Sequence, residues 1–189
     1  MKQNRSLQLA YTAGVIDSDG CITILRHKAR TVNQSKRPTY DLKIIINQVD
    51  GGAINYIRGI YGGTVTSQTN TSGNIVYTWR LNHEKSGELC KQLIPYLRIK
   101  KKQAEVAVQF WYYKQKCGRI RKYLMAKHSD GYDSIGRKKP IRSYSDEQLA
   151  KMHELHLKIR ELKTTYVVCA GAETKQLRPV KTVSDSPTI

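Results

Sequence analysis

Acidic residues are scarce in this chain. Fifteen Asp and Glu stand against 33 Lys and Arg, for a formal net charge of +18 and a pI near 9.9. A surface so charged suits an anionic partner, and nucleic acid is the simplest polyanion of that kind. Long apolar runs are also missing. No stretch approaches the ~18 residues of a spanning helix, so no membrane partner is expected. The N-terminus lacks an uninterrupted apolar segment followed by a cleavage site, which argues against a secretory signal. Cysteines are few: Cys21, Cys90, Cys117 and Cys169 lie far apart, with no CxxC pair. That spacing excludes a zinc knuckle and a small disulfide framework and fits a reducing, intracellular setting. There is no internal repeat, so the 189 residues have room for one compact domain with loops or a tail.

What is present alternates between helical and strand periodicity. A short apolar helix is expected over about Ser6 to Ser18, stopped by Gly20 as the residue type that tolerates a left-handed C-terminal position. Cys21 to Val32 starts as a strand with Ile22 and Ile24 on one face, then turns basic through Arg26, His27, Lys28 and Arg30. After the loop 33–38, Thr39 to Gln48 alternates fully. Tyr40, Leu42, Ile44 and Ile46 share one face, and Thr39, Asp41, Lys43, Ile45 and Asn47 share the other. Period two with one apolar face predicts a sheet packed on one side and open on the other.

Gly51-Gly52 opens a second helix, closed by Gly62-Gly63. A second strand pair follows at Gly63 to Gln68 and Ile75 to Asn82, joined by the turn-rich segment 69–74. Glu84 to Leu93 is a third helix, stopped before Pro95, and Lys101 to Lys116 a fourth. The order α-β-β-α-β-β-α predicts an α+β fold with an antiparallel four-stranded sheet and helices on one face. Residues 5–116 form its core. The segment 117–144, with eight Lys/Arg against two Asp, reads as a basic loop. Ser145 to Gln148 is a capping box for a last helix over 145–163. The domain thus spans 1–163, and 164–189 reads as a loosely attached tail. Trp79 and Trp111 are expected in the core, and His153 and His156 on the surface.

The chemistry concentrates at the end of the first helix. Asp17 and Asp19 occupy its last turn, where the helix dipole disfavours acid. A bound cation would explain them; a capped turn is the plainer alternative. A calcium loop is excluded, since acids do not recur at alternate positions and its twelfth position is Lys28. Small residues recur on one face, at Ala10, Gly14 and Ser18 with Ala13 beside them, a surface that lets another helix approach closely.

Thr12-Ala13-Gly14-Val15-Ile16-Asp17-Ser18-Asp19-Gly20 resembles the motif that names the LAGLIDADG homing endonucleases, with Thr12 and Ser18 as departures. Ile46-Asn47-Gln48 resembles the family's glutamine-bearing strand end. The segment from Pro95 to Ala104 resembles the stretch that carries its basic active-site residue. The resemblance implies a site-specific, metal-dependent DNA endonuclease on a long, nearly palindromic duplex. A single motif implies a homodimer through Ala10, Ala13, Gly14 and Ser18. It also implies Asp19, Gln48 and Lys100 as catalytic residues, and Mg²⁺ held by the Asp19 carboxylate and the Ser18 carbonyl. Some members of the family carry a further basic residue a few positions past the glutamine; here that place is Val49-Asp50-Gly51-Gly52.

The open sheet face is then the expected DNA reader. Its candidates are Thr23, Arg26, Lys28, Arg30, Asp41, Lys43, Asn47, Thr66, Gln68, Tyr77 and Arg80. Arg137, Lys138, Lys139 and Arg142 are expected to grip phosphates. Two other readings remain open: an RNA maturase acting on its host intron RNA, and an inactive DNA-binding regulator.

Overall fold

The computed structural model describes residues 4–27, 38–127 and 144–170. Nine elements follow in order: α1 (Arg5–Asp19), β1 (Gly20–His27), β2 (Thr39–Gln48), α2 (Gly51–Tyr61), β3 (Thr64–Thr69), β4 (Ile75–Asn82), α3 (His83–Leu93), α4 (Lys101–Lys127) and α5 (Asp146–Ala170). The strands form one antiparallel sheet in the order β1-β2-β4-β3. The fold is α+β, with the helices gathered on one face of the sheet.

Alternation decides which face is covered. Ile22 and Ile24 of β1, Leu42, Ile44 and Ile46 of β2, and Trp79 and Leu81 of β4 are all at most 1% exposed. Register aligns them: Ile22 faces Ile44 across the sheet, Ile44 faces Leu81, and Ile46 faces Trp79. Leu9, Ala13 and Ile16 of α1 cover this face, with Ile54 and Ile57 of α2, Leu89 and Leu93 of α3, and Phe110 of α4. Truncating any one of the buried Ile side chains to Ala is worth about 2–5 kcal/mol. Cys90, fully buried, has its thiol pushed up to about 12 and serves only as packing.

Local signals place the helix starts. Asn4 caps α1 by accepting from the Ser6 N–H at 3.0 Å, and Asp50 caps α2 by accepting from the Gly52 N–H at 2.7 Å. The capping box closes in both directions. The Gln148 N–H donates to Ser145 Oγ at 3.2 Å, and the Ser145 N–H donates to Gln148 Oε1 at 3.1 Å.

The structure corrects three expectations about extent and exposure. Helix α4 does not stop at Lys116 but continues through Cys117-Gly118 to Lys127. Helix α5 runs past Lys163 to Ala170, where a tail was expected. His153 and His156 are half-buried instead of on the surface. The Tyr40 hydroxyl lies 3.1 Å from His153 Nδ1, and His156 Nδ1 lies 2.6 Å from the Ile24 carbonyl at the free edge of β1.

Candidate active site and nucleic-acid face

Helix α1 ends with two acids, yet has no basic residue in its own last turn. The missing cation comes from elsewhere. Lys100 Nζ donates to the carbonyls of Ile16 at 2.6 Å and Asp17 at 2.8 Å, and approaches that of Ser18 at 3.4 Å. An ammonium there neutralises the negative end of the helix dipole. Burial draws this lysine below its usual pKa, while the carboxylates of Asp17 and Asp19 act against that shift.

Asp17 returns the contact. Its Oδ2 accepts from the backbone N–H of Arg98 at 2.7 Å and of Ile99 at 3.2 Å, and its Oδ1 accepts from that of Lys100 at 2.8 Å. Three converging N–H groups make a nest for an anion. Asp17 therefore clasps the turn ahead of α4 and carries Lys100 to the tip of α1. Gly20 completes the tip, but not through a left-handed conformation as expected. Its φ is −84°, and a Cβ there would fall 2.6 Å from the Ile16 Cα. The glycine is required by close approach.

Asp19 is different. It is exposed, and the two groups that reach it both do so at Oδ2: Gln48 Nε2 donates at 2.8 Å and Ser18 Oγ at 3.3 Å. The carboxylate acceptor fixes which end of the Gln48 amide faces it. Gln48 Oε1 is thereby turned away, buried and without a hydrogen-bond partner. Such an orphaned acceptor costs about 1–3 kcal/mol.

The α1 surface splits in two. Leu9, Thr12, Ala13 and Ile16 face the protomer's own core. Ala13 is 1% exposed and is thus unavailable to a second helix, a correction to its expected place in a dimer contact. Ala10, Gly14 and Ser18 are exposed, and a Cβ built on Gly14 meets nothing within 4 Å. Leu7 and Tyr11, 68% and 45% exposed, extend the same stripe.

On the open face of the sheet, register groups Cys21, Ile45, Arg80 and Thr64 in one cross-strand row. Asn47, Thr78 and Thr66 form a second, and Thr23, Lys43 and Asn82 a third. Arg80 donates to Thr66 Oγ1 at 2.8 Å, and Thr78 Oγ1 donates to Asn47 Oδ1 at 2.8 Å. Gln68 lies on this face opposite Val76. Two expectations are corrected by register. Arg26 pairs with buried Tyr40 and Tyr77 with Gln48, so both belong to the helix-covered side. Thr23 has the right face but is only 8% exposed. Asp41 also has the right face, but it is already occupied. Lys114 Nζ donates to it at 2.7 Å, and His27 Nε2 lies 3.3 Å from its other oxygen. Burial alone would raise the Asp41 carboxyl; the hydrogen bond and charge of Lys114, with His27 and His83 nearby, outweigh burial and hold it below the usual value. Lys28, Arg30, Arg137, Lys138, Lys139 and Arg142 lie outside the described residues.

The family model for LAGLIDADG endonucleases matches residues 12–117. The chain belongs to the LAGLIDADG endonuclease family. Solved structures share the fold at low identity. The LAGLIDADG homing endonuclease I-SmaMI bound to cleaved DNA matches with a TM-score of 0.56 at 12% identity, over 90% of this chain and 51% of that one. I-GzeII in complex with its DNA target gives 0.53 at 12% identity, over 95% and 54%. The homing endonuclease I-TnaI gives 0.50 at 15% identity, over 85% and 96%. No curated protein matches the sequence.

As a LAGLIDADG protein, the chain holds its motif residues as a clasp (Asp17), a tip (Asp19) and an outward face (Gly14). Sequence reasoning missed Leu7 and Tyr11 on the stripe, His27 on the open face, and the nest around Asp17. Strand parity, counted forward from Ile22, would have found His27. The nest had no sequence signal, because backbone N–H groups supply it. Among the described residues no helix is long and apolar enough to cross a membrane.

Proposed function

We propose that this chain is a homodimeric, Mg²⁺-dependent, site-specific DNA endonuclease, with Asp19, Gln48 and Lys100 at the reacting phosphate. The observation that carries the proposal is the buried, unpartnered Gln48 Oε1 beside an exposed Asp19 at a negative helix end. That pair offers one acceptor for a water and one carboxylate for a cation.

The donor set fits a hard divalent ion. Among the described residues no cluster of three or more His, Cys, Asp or Glu could hold a metal within one protomer. Mg²⁺ keeps several waters and takes one or two carboxylates plus phosphate oxygens, so an Asp19 carboxylate and a Ser18 carbonyl from each of two protomers suit it. When bound, such an ion supplies a water of lowered pKa and charge stabilisation at the phosphate. Asp19 would hold the ion, its carboxylate oriented by the Gln48 amide. Gln48 Oε1 would accept from the attacking water and aim it. Lys100 fixes the end of α1 and stabilises negative charge developing beside it.

Dimerisation follows from the stripe. Leu7, Ala10, Tyr11, Gly14 and Ser18 leave an exposed apolar and small-residue surface along α1. A twin helix seated there would bring two Asp19 tips together on a two-fold axis. The chain aligns with about half of I-SmaMI and of I-GzeII, which leaves room for a second copy. The open rows of Lys43, Asn47, Thr66, Gln68 and Arg80 would meet base edges, and Arg137, Lys138, Lys139 and Arg142 the phosphates. An inactive regulator would have no use for an orphaned acceptor beside an exposed acid.

The test is cleavage of duplexes from a randomised library by the purified chain with Mg²⁺ and with EDTA, alongside its mass in solution. Metal-dependent double-strand cuts by a two-chain particle are expected, and Gly14→Leu should lose both. The absence of any metal-dependent cut would overturn the nuclease reading, and a one-chain mass on DNA would overturn the dimer.

A further inference from the structure

The buried stripe of α5 is Met152, Leu155 and Ile159, continued by Leu162 against the core, and half-buried Lys163 follows directly beside it. Helix α5 runs antiparallel to β1 along the sheet's free edge. His156 meets the Ile24 carbonyl and Lys163 meets Cys21. The spacing agrees: seven helical residues and three strand residues each cover about 10 Å. Lys163 therefore arrives where β1 begins, directly after the Asp19-Gly20 tip.

Its contact there is poor for so strong a donor. Lys163 Nζ lies 3.1 Å from Cys21 Sγ, a weak acceptor, and no carboxylate pairs with it among the described residues. The ammonium is half-buried and close enough to Lys100 for their charges to repel. Two half-buried cations thus face one end of the sheet, beside an exposed acid. Cys21 is on the open face, in the row with Ile45, Arg80 and Thr64. A phosphate reaching Asp19 across that face passes Lys163. Past Gln48, where some members of the family carry a further basic residue, this chain has Asp50, which caps α2.

We propose that Lys163 is the second cation of the phosphate site, supplied by the C-terminal helix in place of a basic residue after Gln48. The proposal rests on the nuclease reading for its catalytic consequence. Its phosphate contact stands independently. Lys163 would leave the Cys21 sulfur for a non-bridging phosphate oxygen, a stronger, charged acceptor.

The experiment uses the full chain and a duplex selected from a random library by binding to the wild type. One arm measures single-turnover cleavage with Mg²⁺ at saturating protein. The other measures binding without metal across a salt series, together with thermal melting. Lys163→Met and Lys163→Gln should slow cleavage on the order of 10²-fold, and Lys163→Arg should stay within about threefold of wild type. Without metal, both neutral variants should flatten log K against log salt by about 0.9 for each protomer, and the arginine variant should not. Wild-type cleavage and an unchanged salt slope in Lys163→Gln would overturn the proposal. So would equal losses in the glutamine and arginine variants accompanied by a lowered Tm, which would mean packing. If the wild type cuts nothing, the nuclease reading falls, and the salt series still decides the phosphate contact.

Discussion

Two acid–lysine clusters sit at opposite ends of β1 and β2, and they are wired differently. At the far end Lys114 donates straight to Asp41, at 2.7 Å, and to the Tyr40 carbonyl. Strand β4 pairs with β2 only from Lys43 onward, so Lys114 also covers a bare strand edge. That cluster is closed: acid and base satisfy one another. At the α1 tip Lys100 bypasses Asp19 and binds carbonyls, while the adjacent Asp17 is filled by backbone N–H groups. Asp19 is left with a single amide, a hydroxyl and open solvent. A lysine that pairs with its acid consumes it; one that caps the helix beneath the acid keeps it free for another cation. The first arrangement serves stability, and the second leaves a carboxylate open to a ligand.

That contrast can be broken at its strongest point first. Asp19→Asn should abolish cleavage, with a loss of at least about 10³-fold if Asp19 holds the catalytic ion, while DNA binding and dimer mass stay as in wild type. Stability should hold or rise by a few tenths of a kcal/mol, since an acid at a helix C-terminus is unfavourable. Gel-shift affinity and single-turnover rate, measured on one preparation, check this. Measurable residual cutting at a tenth of the wild-type rate would remove Asp19 from the centre.

Lysine replacement comes next. Lys100→Met should lower cleavage on the order of 10²-fold and also destabilise by about 1–3 kcal/mol, because the α1 carbonyls lose their cation. Lys114→Met should lower stability comparably and leave the rate within about threefold. Equal rate losses in the two variants would erase the distinction between the clusters. Asp17→Asn tests the clasp. An amide places N–H groups against N–H donors, so a stability loss of about 1–3 kcal/mol is expected in denaturant melts. Asp19→Asn should show none. Two acids in one turn thus answer the same change in opposite directions.

How much of this could be read from residues alone depended on whether the cause was local. Thr39–Gln48 and Ile75–Asn82 were readable to the residue, because strict alternation and flanking turn residues bound them. The face of β1 was not: Ile22, Thr23 and Ile24 are all buried, and the basic run after them hides the parity that puts His27, not Arg26, on the open side. Helix α4 outran expectation because Gly118 and a dense basic segment look like a loop, while buried Phe110, Trp111 and Cys117 anchor the helix up to that point. The acidic tip itself was visible as an anomaly at Asp17 and Asp19. Its resolution was not, since Lys100 reaches it from more than 80 residues away. Which carboxylate was structural and which was free could be settled only by seeing which one the backbone fills.

The smallest effect probes the closed cluster by pH. The Asp41 carboxyl sits below its ordinary value of 3.8 in the folded chain. A depressed carboxyl adds stability that is fully present above its unfolded pKa and is lost as pH falls through its folded one. The pair therefore contributes at neutral pH, and its contribution decays as pH drops from about 4 downward. Its side chain is 40% exposed, so water screens the gain, and an exposed pair is worth only ~0.2–1 kcal/mol. Melting wild type and Asp41→Asn in parallel from pH 7 to pH 3 should show a small Tm gap at neutral pH that closes below pH 4. Added salt should narrow the gap at neutral pH, as it does for exposed charges. Cleavage and salt-dependent DNA binding should change little, since Asp41 is already committed to Lys114 and His27. A gap that widens toward low pH would mean that the acid is not the partner that orders this end of the sheet. The closed cluster would then owe its stability to Lys114 and the Tyr40 carbonyl alone.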